Sequence, residues 1–217
     1  MRVSAIITAG GTSSRYGNTN KLLEKVNGKE IIKYTVEAFL KSEVDEIIIC
    51  ANSSIIEILS EFFSNLDKIK IVEGGATRQE SVFNGLKAAK CDYVLIHDGA
   101  RPMISESVIE NVISEVQVKK AVSVMTKTVD TIKEVGADGK IIRTLERSKL
   151  YNTQTPQAFE YNLIKSVHEK LSDKSFTDDA GMVEAFGYDV YAVEGDYRNI
   201  KVTTKSDLAL AKEYLSK

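Results

Sequence analysis

RVSAIIT (Arg2–Thr8) runs without a break into AGGTSSRYGNTNK (Ala9–Lys21). The first segment is short, apolar and rich in β-branched residues, which is the pattern of a buried strand; the second is a glycine-rich loop leaving its carboxyl end. Gly10 and Gly11 lack a Cβ, so the backbone there can turn sharply and bring its N–H groups close to a ligand. Arg15 and Lys21 add two cations. Open α/β sheets bind ligands at this end of their strands, and N–H donors with two cations suit a polyphosphate. Two common phosphate loops do not fit: no Gly-Lys-Ser/Thr follows, and the glycines fall at 10, 11 and 17 rather than in GxGxxG spacing.

Working outward, Lys29–Ser42 places Ile32, Val36, Phe39 and Leu40 on one helical face, and Glu46–Ala51 reads as a second buried strand. Ser53–Leu66 begins with serines suited to a helix cap and carries Ile55, Ile58, Leu59 and Phe62 at helical spacing. Lys68–Gly75 is a third strand ending in glycines, followed by a helix over Ala76–Lys90 with Val82, Leu86 and Ala89 inward. Asp92–Pro102 (DYVLIHDGARP) is a strand and exit loop that delivers His97, Asp98, Gly99 and Arg101 to the same edge. Strands alternating with helices predict an α/β fold with a mainly parallel sheet flanked by helices. Asp98 has the position of a group that meets a metal ion or polarises a substrate hydroxyl, or else caps local N–H groups.

The pattern changes at Ala121, where two β-rich arms flank an Asp138-Gly139 turn, a strong hairpin signal. Val129, Ile132, Ile141 and Leu145 would be exposed if this ribbon stood alone, and an isolated hairpin is marginal in water. Packing on a second subunit is therefore expected. Phe159–Leu171 reads as a helix with Leu163, Val167 and Leu171 inward and His168 as a satisfied histidine beside them. Phe176–Gly187 is a helix capped by Thr177 or Asp178, Tyr188–Gly195 and Asn199–Thr203 (NIKVT) read as strands, and SDLALAKEYL closes as a helix. Lys201 is either a surface lysine on an edge or a cation facing a pocket.

Composition bounds the function. The 217 residues carry 43% hydrophobic and 28% charged side chains with a formal net charge of -2, which gives no basic footprint for nucleic acid. No apolar run reaches membrane-spanning length and no signal peptide is visible, so a cytoplasmic location is expected. Cys50 and Cys91 read as buried thiols, and the histidines, His97 and His168, lack a second ligand at helical spacing for zinc.

AGGTSSRYGNTNK, GGATRQESV, HDGARP, TQTPQAF, FTDDA and NIKVT, in that order, make the chain resemble the 2-C-methyl-D-erythritol 4-phosphate cytidylyltransferases over essentially its whole length. The resemblance implies a Rossmann-like fold of the nucleotide-diphospho-sugar transferase type: one nucleotidyltransferase domain over 1–217, with a β-arm for dimerisation at about 128–151. It implies transfer of CMP from CTP to 2-C-methyl-D-erythritol 4-phosphate, with release of pyrophosphate, in a homodimer, with Mg²⁺ or another divalent cation bound with CTP. It assigns Arg15, Lys21, Arg147 and Lys201 to catalysis, and Ala9, Gly10, Gly11, Gly75, Arg78 and Ser81 to CTP. Asp98, Arg101, Thr131, Thr155 and Thr177 match contacts to the acceptor, Arg101, Thr131 or Arg147 serving the partner's site. Departures are Asn20 and Leu22 beside Lys21, where Pro and Gln are usual, Ala76 at an often polar position, and Thr12 and Ser13 in place of glycines.

The residue types suit phosphate attack on the α-phosphorus of CTP. Two anions must meet, so fixed cations and N–H donors address the main obstacle, and the nucleophile, already an anion, needs no general base. Ribitol 5-phosphate as acceptor, a molybdopterin-type nucleotidyltransferase and a silent dimeric nucleotide-binding protein are the alternatives. HDGARP and NIKVT argue against the second, and Arg15 with Lys21 against the third.

Overall fold

From Val3 to Ala9 the chain forms strand β1, and the computed structural model describes residues 1–11 and 20–216. A small antiparallel pair, β2 (Lys25–Val26) and β3 (Lys29–Glu30), leads into helix α1 (Ile31–Leu40). The alternating part continues with β4 (Glu46–Ala51), α2 (Ile56–Phe62), β5 (Ile69–Glu73), α3 (Arg78–Ala88), β6 (Tyr93–Asp98) and α4 (Glu106–Lys119). Then come β7 (Ala121–Lys127), the pair β8 (Lys133–Val135) and β9 (Ile141–Thr144), and the long strand β10 (Tyr151–Glu160). Helices α5 (Tyr161–Lys170) and α6 (Asp179–Ala185), strand β11 (Tyr191–Glu194) and helix α7 (Lys205–Leu215) follow.

The main sheet has seven strands in the order β11-β7-β10-β6-β1-β4-β5. β6, β1, β4 and β5 run parallel, as do β11 and β7, whereas β10 is antiparallel to both neighbours. The predicted mainly parallel α/β architecture is the one observed. Both faces of the central strands are covered, which is why they read as continuous apolar runs rather than alternating ones. Ala5, Ile7, Ile47 and Ile49 join the core that receives Phe39, Leu59, Ile109 and Val116 from α1, α2 and α4. Ile6, Ile48 and Cys50 face the opposite layer with Val82, Leu86, Val167 and Val183 of α3, α5 and α6.

Four local expectations change. Helix α4 adds an element to the expected order, with Ser105 accepting from the Val108 N–H and Ile109, Val112, Ile113 and Val116 buried. Asn52, not a serine, caps the turn that opens α2, its Oδ1 accepting from the Ser54 N–H. The arm's turn is wider than two residues: Gly136 and Lys140 are joined by a backbone bond, Asp138 Oδ1 accepts from the Lys140 N–H, and Gly139 has φ +83. Asn199–Thr203 is not a strand. It is a loop tied to the exit of β6, with the Val202 N–H donating to Ala100 O at 2.8 Å and Asn199 Nδ2 to Thr155 O at 2.9 Å. Among the described residues, no helix is long and apolar enough to cross a membrane.

Helix α3 lies close on the sheet because Gly85 has no side chain: a Cβ there would stand 2.8 Å from both Cys50 Sγ and Ile6 Cγ2. Alanine is the better helix former by about 1 kcal/mol, but the crowding outweighs it. Gly85→Ala is expected to lower stability by roughly 1–3 kcal/mol, read as a lower urea midpoint. A midpoint equal to or above the wild type's would contradict this packing.

Candidate active site

The carboxyl ends of β1, β4, β5 and β6 put two glycine loops and the HDGARP turn side by side. A Cβ on Gly10 would come within 2.7 Å of Ser81 Oγ, which forces a shift, and one on Gly74 would stand 3.0 Å from Ser81 Oγ and 3.2 Å from Ala51 O, a tight fit. Ser81, buried in the first turns of α3, accepts from the Gly75 N–H at 3.0 Å and donates to Thr77 O at 2.9 Å. Thr77 caps α3 by accepting from the Glu80 N–H, and Glu80 Oε2 accepts from the Ala76 N–H at 2.8 Å. These bonds fix the second loop onto the helix start, where the helix dipole favours an anion.

One cleft is lined by Ala9, Gly10, Gly11, Lys21, Ala76, Thr77, Arg78, Ser81, Asp98 and Lys201, among others. A second, adjoining cleft is lined by Arg78, Asp98, Arg101, Thr155, Thr177 and Lys201, together with Thr153, Gln154, Gln157 and Asp178. Arg78, Asp98 and Lys201 belong to both and form the wall between them. Most of the residues singled out in the sequence therefore meet. Gly75 lies behind the first cleft as a scaffold for Ser81. Thr131 and Arg147 do not reach either cleft of this chain; both are exposed on the arm, where Arg147 Nη1 donates to Val129 O at 3.0 Å. Arg15 lies outside the described residues.

Asp98 is the hub. Its carboxylate stands 2.8 Å from Lys201 Nζ, 3.2 Å from Arg78 Nε and 3.6 Å from Arg101 Nε. Burial pushes the carboxyl up, but Arg78, Lys201 and Arg101 outweigh it and hold it well below the usual carboxylate range. Arg78 also donates through Nη1 to Asp179 Oδ2 at 2.7 Å. Burial disfavours its charge, yet Asp179 and Asp98 raise its pKa above the ordinary value. Three cations thus share two carboxylates, and the wall keeps a positive excess. Lys201 is the pocket cation, not an edge lysine.

The hub is held by a chain of bonds that the sequence did not announce. The Asp98 N–H donates to Thr155 Oγ1 at 3.1 Å, and Thr155 Oγ1 lies 3.0 Å from His97 Nδ1. His97 Nε2 is 3.2 Å from Arg101 O, a carbonyl that only accepts, so the proton sits on Nε2 and Thr155 donates to Nδ1. Burial pushes His97 down to about 4, so the ring is neutral near pH 7. Arg101 Nη1 in turn donates to Asn199 O at 2.8 Å. His97, Asn199, Gln157 and Asp179 lie within the quoted motifs HDGARP, NIKVT, TQTPQAF and FTDDA but were not singled out as site residues, because each is buried and acts through its neighbours. Among the described residues there is no cluster of three or more His, Cys, Asp or Glu able to hold a metal.

The 2-C-methyl-D-erythritol 4-phosphate cytidylyltransferase family model matches residues 3–217. The chain belongs to that family. It is 40% identical to the cytidylyltransferase of that name from Caldanaerobacter subterraneus subsp. tengcongensis, over 100% of both chains. Against the one from Clostridioides difficile it is 41% identical, over 98% of this chain and 93% of the relative. The crystal structure of 4-diphosphocytidyl-2C-methyl-D-erythritol synthase from Anaerococcus prevotii superposes with a TM-score of 0.90 at 35% identity, covering 100% of this chain and 96% of that one. The Thermus thermophilus cytidylyltransferase gives 0.82 at 28% identity with 100% of both covered. Fold and enzyme class thus agree with the sequence-based expectation: the chain is a cytidylyltransferase.

The pH dependence of the hub follows from its sign. A carboxylate whose folded pKa lies below the unfolded value of about 3.9 stabilises the fold above that value and loses this stabilisation as pH falls toward the folded one. Asp98→Asn is therefore expected to be less stable than wild type near neutral pH, with the gap in melting temperature narrowing below about pH 4. A gap that stays constant from neutral pH down into the acid range would show that the charge of Asp98 is not what holds the cations.

Proposed function

We propose that the chain transfers the CMP moiety of CTP to 2-C-methyl-D-erythritol 4-phosphate, giving 4-diphosphocytidyl-2-C-methyl-D-erythritol and pyrophosphate. The observation that carries the reading is the wall of Arg78, Asp98 and Lys201 between two adjoining clefts. CTP would occupy the cleft of the two glycine loops, with N–H groups of Gly10 and Gly11 and the start of α3 toward its phosphates. The polyol phosphate would occupy the cleft of Thr155 and Thr177.

In that arrangement an oxygen of the acceptor phosphate attacks the α-phosphorus. The new O–P bond forms as the bond to the β-phosphate bridge breaks, and pyrophosphate leaves. Lys21 and Arg15 would stabilise charge growing on the non-bridging oxygens, while Lys201 and Arg101 would orient the acceptor across the wall. The histidine nearest the hub takes no proton from the nucleophile: His97 is buried, neutral and bonded at both ring nitrogens. A divalent cation such as Mg²⁺ does not fit a site held by Asp98, whose oxygens face Arg78, Arg101 and Lys201. Carried on the triphosphate, it would neutralise phosphate charge.

The arm supports a dimeric reading. Val129, Val135, Ile141 and Ile142 are 64%, 53%, 58% and 60% exposed, a cost removed by burying them against a second copy at about 25 cal/mol per Å². A two-fold pair would satisfy both arms with the same contacts and carry Thr131 and Arg147 toward the partner's acceptor cleft. We read residues 1–217 as one nucleotidyltransferase domain from which this arm, at about 128–151, projects.

Pyrophosphate release with CTP and either methylerythritol phosphate or ribitol 5-phosphate tests the reaction and the acceptor together. Turnover is expected with the former; turnover with ribitol 5-phosphate alone would overturn the assignment. In the same assay Lys21→Ala is expected to lower kcat by about a hundredfold or more, and near wild-type kcat at saturating CTP would remove Lys21 from the transition state. Ile141→Asp should shift sedimentation toward the monomer and depress acceptor turnover while CTP still binds. A wild-type protein that is monomeric at micromolar concentration and fully active would contradict the shared site.

A further inference from the structure

Two buried residues on the far side of Arg78 line neither cleft. Asp179, the first residue of α6, is 1% exposed, and His168 on α5 is 2% exposed. Asp179 Oδ2 accepts from Arg78 Nη1 at 2.7 Å, and Asp179 Oδ1 lies 3.3 Å from His168 Nε2. A carboxylate kept ionised by its arginine only accepts, so the imidazole nitrogen carries the proton and donates it. The His168 ring is stacked on Phe83 of α3, with centroids 6.0 Å apart and planes 8° from parallel.

Asp179 is itself fixed from the sheet. Gln157 of β10 accepts on Oε1 from the Asp179 and Ala180 N–H groups, at 3.1 and 3.0 Å. Its Nε2 donates to Asp178 Oδ2 at 2.7 Å and Ser123 Oγ at 3.1 Å. The amide has each of its four hydrogen-bonding capacities used, and glutamate in its place would lose the two donors and repel Asp178. A buried ion pair of this kind is weak evidence for stability, because well-packed apolar groups of the same volume often serve as well. What it supplies is direction. Arginine has a long, flexible stem, and a guanidinium held at Nε by Asp98 and at Nη1 by Asp179 has its plane set at two points.

We propose that His168 and Asp179 are positioning residues for cytidylyl transfer, holding the Arg78 guanidinium in the wall between the nucleotide and acceptor clefts. This rests on the reading of those clefts given under the proposed function. His168 acts through Asp179, and Asp179 acts through Arg78; neither touches substrate.

The test compares wild type with His168→Phe, His168→Gln, Asp179→Asn, Arg78→Lys and the double variant His168→Phe/Arg78→Lys, by pyrophosphate release and by melting temperature. His168→Phe keeps the ring on Phe83 but loses the donor, and is expected to lower kcat by about tenfold or more, the scale of a small misplacement in a site. His168→Gln restores an N–H near the same place and should recover most of that loss. The double variant should be no slower than Arg78→Lys alone, since residues acting through one another do not add. Exchange of the Arg78 Nε–H with solvent, followed by NMR, gives a readout independent of turnover: slow in wild type, faster in Asp179→Asn and His168→Phe. Variants that lower only the melting temperature, or effects of His168→Phe and Arg78→Lys that multiply, would overturn the proposal, as would unchanged exchange. If His168→Phe does not fold, Asp179→Asn, alone and combined with Arg78→Lys, carries the same comparison. Absence of turnover in wild type itself would count against the reaction assigned to the clefts, and the exchange measurement would still decide the positioning.

Discussion

One buried carboxylate makes the rest of the site possible. Arg78 comes from the start of α3, Arg101 from the turn after β6 and Lys201 from the loop before α7, and they converge because Asp98 stands between them. Without that charge three cations would repel one another in a half-buried wall. With it, they are held in place and still leave a positive excess at the wall. Burying such a cluster is costly and contributes little net stability; what it supplies is charge fixed in place before any ligand arrives, the kind of preorganisation that the proposed transfer would use.

The antiparallel strand β10 is the second constraint. Its pairing with β6, Gln157 opposite Ile96 and Ala158 opposite Leu95, brings Thr155 beneath the Asp98 N–H and Gln157 beneath α6. Thr155 thereby closes a chain from Asp98 through His97 to the Arg101 carbonyl. A site assembled from loops is thus braced by bonds that start in the sheet. The same strand runs on to Tyr151 and pairs there with Lys127, at the root of the arm, so the arm and the cleft of Thr155 and Thr177 share one piece of backbone.

How much of this was legible in the sequence depends on whether the signal is local. The strands β1, β4 and β6 announce themselves because each is buried on both faces and reads as an unbroken apolar run. The glycine loops are equally visible, since the close approach of Gly10 and Gly74 to Ser81 leaves little room for a side chain. Lys201 was ambiguous, because its neighbours are β-branched and mimic a strand, whereas Asn199–Thr203 is a loop tied down by the Asn199 side chain and the Val202 N–H. Arg78 and a satisfied His168 were read from the sequence, but the links that join them through Asp179 were not. The linked residues are 101 and 11 residues apart in sequence, and only packing of α3, α5 and α6 on one face of the sheet brings them together.

The central claim is that both substrates meet at the wall of Arg78, Asp98 and Lys201. The most direct measurement is a crystal structure of the protein with a non-reactive CTP analogue and methylerythritol phosphate. The account predicts the α-phosphate on the side of Gly10 and Lys21, the acceptor phosphate on the side of Arg101 and Thr155, and Arg78 or Lys201 within hydrogen-bonding distance of a phosphate oxygen. An acceptor seated elsewhere, with Asp98 still enclosed by its three cations and neither phosphate near them, would contradict it.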